Sequence, residues 1–288
     1  MLIQRIITAL ILAPAAISAI FYLSLIDLAL LLMVVIGIGA WEWGPLMGLN
    51  HKLKRSSYVV ITLALIAGIW WSISPSDLWL NAEQLNSSVI SILWLAVVWW
   101  FVSTLLIFSY PKANDFWLKH KFTRGVFGWL TLVPTWLAFM VIRTNDYQAD
   151  SYHGAQLLMF LFLMVWSADV GAYFVGKAMG KNKLMPNVSP GKSIEGFLGG
   201  VVFACVLTLI TALVLEWTSE QIITVLLVTV LITTISVIGD LNESMFKRQA
   251  GVKDSGSILP GHGGILDRID SLTATAPVFA LCYMFFGW

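Results

Sequence analysis

Residues 222–239 read IITVLLVTVLITTISVIG and contain no charged side chain. At a rise of ~1.5 Å per residue, such a helix covers nearly the whole of a ~30 Å hydrocarbon layer. A transmembrane barrel strand would alternate apolar and polar residues, and this run does not. Working outward, comparable segments lie at about 6–26, 28–48, 58–73, 89–110, 125–142, 155–176, 194–215 and 272–286, nine in all. The 288-residue chain is 58% hydrophobic and holds 14 tryptophans. Length alone would allow one or two soluble domains; this composition does not. The reading is an all-α polytopic membrane protein of about nine helices. It forms a single integral-membrane domain, 1–288, with N-terminal membrane helices at 1–154 and the motif-bearing helices at 155–288. Residues 6–26 could pass for a signal peptide, with Ala16-Ile17-Ser18 as a weak cleavage-like triplet. The apolar run continues past that point, so an uncleaved first span is expected.

Basic residues alternate between links. The links at 51–57, 111–124 and 177–192 are rich in Lys and Arg, whereas those at 74–88, 143–154 and 216–220 are poor. Of the 17 basic residues, only Arg143 falls on the poor side. The positive-inside rule then places the N-terminus and every basic link in the cytoplasm. The expected location is the cell's inner (cytoplasmic) membrane, with the motifs facing the cytoplasm and the C-terminus outside. A net charge of +1 indicates no partner, and no nucleic acid is expected. Cys205 and Cys282 stand far apart without metal-ligand spacing.

Beyond Ile238 the character changes. Gly239 to Ser271 reads GDLNESMFKRQAGVKDSGSILPGHGGILDRIDS, with nine charged residues in 33, in a chain that is 11% charged. Carboxylates suit hard cations. Lysine and arginine neutralise phosphate oxygens, and glycines let backbone N–H groups approach an anion. Asp240 is expected to end the eighth segment. If the helix continues, Glu243, Ser244 and Lys247 share its face. Asp267 and Asp270 lie one turn apart ahead of the ninth. Two carboxylate clusters thus enter one loop from opposite ends. Salt bridging is the competing role, because Lys247, Arg248 and Arg268 are close to acids in sequence. His262 lacks ligand-spaced partners, so a phosphate contact or a shaped glycine turn is expected of it.

Three further features stand upstream. Asp169 sits in the apolar run WSADVGAYFVGK, 166–177, where a charge is costly and normally functional. A helix there puts Asp169, Tyr173, Gly176 and Lys177 on one face. SPGKS, 189–193, imitates the end of a Walker A loop, but Pro186 occupies the first glycine's place and no strand precedes it. It reads instead as a loop presenting Ser189, Lys192 and Ser193 at a helix N-terminus, which can receive an anion. Glu195 and Gly196 read as cap and packing residues. Glu42, between Trp41 and Trp43, is expected near a headgroup region, with a role at a substrate entrance as the alternative.

The 239–271 stretch resembles the signature of CDP-diacylglycerol synthases, also called phosphatidate cytidylyltransferases. The matching residues are Ser244, Lys247-Arg248, Lys253-Asp254, His262-Gly263-Gly264, Asp267-Arg268 and Asp270. Residues 166–177 and SPGKSIEGFLGG at 189–200 also look like that family. The resemblance implies that CTP and phosphatidate give CDP-diacylglycerol and pyrophosphate. It implies Mg²⁺ held by Asp240 and Asp267, with Asp169 near the nucleotide. Lys192, Lys247, Arg248, Lys253 and Arg268 would neutralise phosphates, and Ser189, Ser193, Ser244, His262, Gly263 and Gly264 would contact substrate. A second metal ion and a homodimer are open expectations, and membrane lipids are the expected surroundings. A transporter would explain Asp169 but not the charged stretch. A CTP-dependent lipid kinase would instead transfer the γ-phosphoryl group.

Overall fold

The computed structural model describes residues 2–74, 77–81, 84–112 and 119–288, with the side chains of 2–7 and 9 left aside. Among the described residues are nine long helices: α1 Leu2–Tyr22, α2 Leu25–Leu46, α3 Lys52–Ser72, α4 Ser87–Ser109, α5 Lys121–Thr144, α6 His153–Met179, α7 Ile194–Val214, α8 Ser219–Ala250 and α9 Leu266–Phe286. They correspond one to one with the nine apolar segments. Eight, α2 to α9, are long and apolar enough to cross a membrane, and α1 contributes a shorter apolar stretch, Leu10–Tyr22. The protein is an all-α, polytopic integral membrane protein. Two small antiparallel hairpins accompany the helices: β1 Trp79–Asn81 with β2 Gln84–Leu85, and β3 Lys183–Met185 with β4 Ser189–Ser193.

Helices α5 and α9 form the centre. Every residue from Thr131 to Thr144 on α5 is buried, as is every residue from Ser271 to Cys282 on α9. Small residues make this close approach feasible. The run Thr273-Ala274-Thr275-Ala276 faces its neighbours with little bulk, and Thr135 Oγ1 donates to the Thr273 carbonyl at 3.2 Å. Polar pairs join other helices. Ser103 Oγ on α4 donates to Asn242 Oδ1 on α8 at 2.9 Å, and the Thr208 and Thr229 hydroxyls meet at 2.8 Å between α7 and α8.

Helices α6 and α7 pack through glycines. A Cβ at Gly199 would fall 2.5 Å from Val175, and one at Gly200 would fall 2.7 Å from the Ala168 carbonyl. Without a hydrophobic drive between helices in lipid, small residues allow the close packing that holds them together. This seam carries Asp169 on one helix and delivers β4 to the start of the other.

Three expectations are corrected, and one exception is accounted for. Helix α8 does not stop at Asp240 but runs to Ala250. Leu241, Met245 and Phe246 are buried on its inner side, Phe246 lying 4.9 Å from the Trp43 ring. It ends at Gly251, whose φ of 70° provides a left-handed C-cap. SPGKS is a strand, β4, not a loop. Glu42 is 1% exposed and lies inside the protein, not among headgroups. Arg143, the exception to the charge alternation, is buried and donates to the Ile20 and Ser151 carbonyls at 3.0 Å each. Its charge therefore serves packing and carries no topological information. Ser76 and Glu83, within the expected link 74–88, and residues 113–118 of the basic link lie outside the described residues.

Candidate active site

The site begins where hairpin β3–β4 meets α7. Ser193 is the N-cap of α7, its Oγ accepting from the Gly196 N–H at 3.1 Å. Glu195 accepts from the backbone N–H groups of Lys181 and Asn182 and from the Asn182 side chain, which fixes the start of the hairpin. The cap and packing roles expected of this pair hold, since Gly196 lies against the Ala172 carbonyl. From β4, Lys192 reaches Asp240 on α8, with Nζ 2.6 Å from Oδ2. Ser244 donates to the other Asp240 oxygen at 3.2 Å. Arg248 is exposed, and its Nε bonds the Val188 carbonyl at 3.2 Å, tying α8 to the hairpin turn.

Two cavities share a wall here. The larger, about 660 Å³, has a charged head lined by Asp169, Asp240, His262, Arg268 and Asp270. Its body is apolar, walled by Ala16 of α1, Leu32 of α2, Phe139 of α5 and Phe162 of α6. The second, about 510 Å³, is lined by Asp169, Tyr173, Gly176, Lys177, Lys192, Ser193 and Asp240. The helical face expected of Asp169, Tyr173, Gly176 and Lys177 is thus one wall of a real cavity. Asp169 and Asp240 line both spaces. Asp169 interacts electrostatically with Asp240, Lys192 and Arg268, and Asp270 with Asp240, Lys192 and Lys247.

Lys247 lies behind that head, lining neither cavity. It is 8% exposed, and its Nζ lies 3.0 Å from Glu243 Oε2 and 2.7 Å from Asp267 Oδ1. Asp267 is engaged on both oxygens, because Ser255 N–H and Gly264 N–H donate to Oδ2 at 3.0 and 2.7 Å. The glycines of the motif explain this closure. Gly263 has a φ of +85°, and a Cβ there would sit 2.6 Å from Asp267 Oδ2. A Cβ at Gly264 would strike Ser255 Oγ. The anion approached by this backbone is therefore the protein's own carboxylate. His262 lines the larger cavity, and its Nδ1 is buried without a hydrogen-bond partner.

Of the residues expected at the site, Asp169, Lys192, Ser193, Asp240, His262, Asp267 and Arg268 line the two cavities. Ser189, paired with Met185, is half-buried in the hairpin. Lys253 stands exposed on the motif loop. Gly263 and Gly264 shape the turn. Asp270, read from sequence as part of a carboxylate cluster with Asp267 or as a partner for nearby bases, lines the charged head. Among the described residues, no group of three or more His, Cys, Asp or Glu side chains is arranged to hold a metal ion. Mg²⁺ characteristically takes one or two carboxylates plus substrate phosphates and no all-protein cage. Asp240, with Asp169 or Asp270 beside it in the lining, would supply that number of carboxylate donors.

Fold and site define an integral-membrane protein that brings a charged, carboxylate-bearing centre to the head of an apolar cavity. The chain belongs to the cytidylyltransferase family, whose pattern it matches over residues 3–286. It is 41% identical to the phosphatidate cytidylyltransferase of Haemophilus influenzae, with 99% of each chain covered. It is also 41% identical to that of Pseudomonas aeruginosa, over 100% of this chain and 99% of the relative. The Bacillus subtilis phosphatidate cytidylyltransferase is 35% identical, over 80% of this chain and 82% of its own.

Proposed function

We propose that this protein transfers the cytidylyl group of CTP to phosphatidate, giving CDP-diacylglycerol and pyrophosphate. The names of its full-length relatives support the reading. The observation that carries it is the larger cavity, apolar between the helices and charged at its head. A lipid with two acyl chains and an anionic phosphate has the same division. The second cavity, with Lys192 and Lys177, suits the CTP phosphates. The two meet at Asp169 and Asp240, where a phosphatidate oxygen would approach the α-phosphorus of CTP.

The protein's part is to hold and orient two anions that repel each other. Lys192 and Arg268 offset their charge, and positioning with electrostatics suffices without a covalent enzyme intermediate. Asp240 is the proposed Mg²⁺ ligand, because its carboxylate is part-exposed and, among the described residues, is held by Lys192 and Ser244. Asp267, expected beside it, would have to release Lys247 to bind a cation, so Asp169 or Asp270 is the proposed companion. Held by these carboxylates, Mg²⁺ would supply positive charge that stabilises the substrate phosphates and the leaving pyrophosphate. His262, with its unpartnered Nδ1, is proposed to contact a phosphate. The alternation of basic links supports the inner membrane, with this head facing the cytoplasm. The test is purified protein with CTP, phosphatidate and Mg²⁺. Equal amounts of CDP-diacylglycerol and pyrophosphate, lost on chelation, are expected. Absence of the liponucleotide would refute the assignment.

A further inference from the structure

We infer that Glu42, on the N-terminal helix α2, is the positioning residue that fixes the motif loop and the first turn of α9, and through them Asp267, Arg268 and Asp270. The inference rests on the proposed reaction for its kinetic readout, and on geometry for the rest. The first N–H groups of any helix lack intrahelical partners, and the residue before α9, Ile265, supplies no side-chain cap. Glu42 replaces that cap from across the fold. Its Oε1 accepts from the Ile265 N–H at 3.2 Å and its Oε2 from the Leu266 N–H at 2.8 Å. The Ser255 hydroxyl adds a longer bond to Oε2, 3.4 Å.

The loop is built around this carboxylate. A Cβ at Gly256 would collide with Glu42 Oε1, and one at Gly264 would come within 2.5 Å of Oε2. Two glycines of this loop therefore leave room for Glu42, which lies more than two hundred residues earlier in the chain. A buried carboxylate is costly unless hydrogen-bonded, and a helix N-terminus favours an anion. No Lys or Arg forms an ion pair with Glu42 among the described residues. Arg55, whose charge acts on it, bonds the Trp41 carbonyl at 2.8 and 3.1 Å and lies 4.0 Å over the Trp41 ring. The backbone donors of the loop and of α9 are thus the partners that satisfy the buried Glu42 carboxyl oxygens. Asp267 N-terminal contacts at Ser255 and Gly264 flank the same donors, so a shift at Glu42 moves the carboxylates of α9 relative to Asp240.

The test uses full-length protein and two variants. Glu42→Gln keeps the side-chain size but leaves one oxygen to serve two N–H donors. Gly256→Ala leaves Glu42 chemically intact and displaces its carboxylate. In each, kcat per molecule of the monodisperse fraction should fall roughly 10- to 100-fold, the scale of an ångström-sized misplacement. KM for CTP and for phosphatidate should change much less than kcat, since neither variant removes a side chain proposed to contact substrate. Amide exchange at Ile265 and Leu266 should accelerate in Glu42→Gln while the α5 amides stay protected. A residue needed only for global folding would lower the yield of monodisperse protein and leave its kcat at the wild-type value. Wild-type kcat in either variant overturns the inference. If the wild-type protein made no liponucleotide, the proposed reaction would fall, and exchange would decide alone: unchanged rates at Ile265 and Leu266 in Glu42→Gln would overturn the role of Glu42.

Discussion

Replacing Lys247 with methionine separates a phosphate ligand from an internal strut. Lys247 is 8% exposed, and its ammonium lies between Glu243, itself 2% exposed, and Asp267. Methionine keeps the apolar stem and removes only the charge. Two carboxylates then lose their shared cation in a buried setting, and Glu243 Oε1 already has no partner. Breaking a buried pair from one side costs roughly 3–5 kcal/mol, because a charge is left uncompensated. In a chain of this size that corresponds to a fall in melting temperature on the order of 10 °C. The assay is thermal unfolding of detergent-purified protein, followed by size-exclusion chromatography. Glu243→Gln alone should cost far less, because Lys247 keeps Asp267. The double variant Lys247→Met with Glu243→Gln should recover most of the lost stability, since Asp267 retains the Ser255 and Gly264 N–H groups. A Lys247→Met protein that melts like the wild type but turns over slowly would refute this reasoning and place Lys247 at the substrate phosphates.

Asp240→Asn and Lys192→Met should each lower kcat and kcat/KM together by about 100-fold, the scale of one lost electrostatic contact to the transition state. Their melting temperatures should barely move, because this part-exposed pair is worth only ~0–1 kcal/mol; a large loss of stability with normal turnover would contradict the assignment. Asp270→Asn should raise the Mg²⁺ concentration for half-maximal rate about tenfold, and an unchanged Mg²⁺ titration would remove Asp270 from the proposed ligands. Ala16→Phe fills the apolar body of the larger cavity, so KM for phosphatidate should rise while KM for CTP stays constant; parallel changes in both would argue against acyl chains there. Cysteines placed at Gln84 and Ser257, both exposed, should be labelled from opposite sides of the membrane, and labelling of both from one side would refute the orientation.

The apolar segments were legible because helix length against a hydrocarbon layer is a local property of the chain. Asp169 and its face were legible for the same reason, since a lone carboxylate in an apolar run has few structural uses and helical spacing fixes its neighbours. The end of α8 was not. The density of charge after Ile238 suggested a loop, although Leu241, Met245 and Phe246 continued a helical apolar stripe through it. The direction in which Lys247 points was equally hidden, because spacing placed it near Glu243 and Asp240 alike, and only the fold brings Asp267 to it. Glu42 shows the limit most clearly. Its donors come from Ser255, Ile265 and Leu266, and nothing local to Trp41-Glu42-Trp43 announces them. The SPGKS strand was missed because its pairing partner, Lys183–Met185, carries no period-2 apolar pattern of its own.

The central claim is that phosphatidate attacks the α-phosphorus of CTP where the two cavities meet. Following the isotope from CTP labelled at either phosphate, with purified protein and phosphatidate, tests it directly. Label from the α-position should enter the lipid extract, and label from the γ-position should leave as pyrophosphate. Label from the γ-position in the lipid, with CDP released, would mean phosphoryl transfer and would contradict the account.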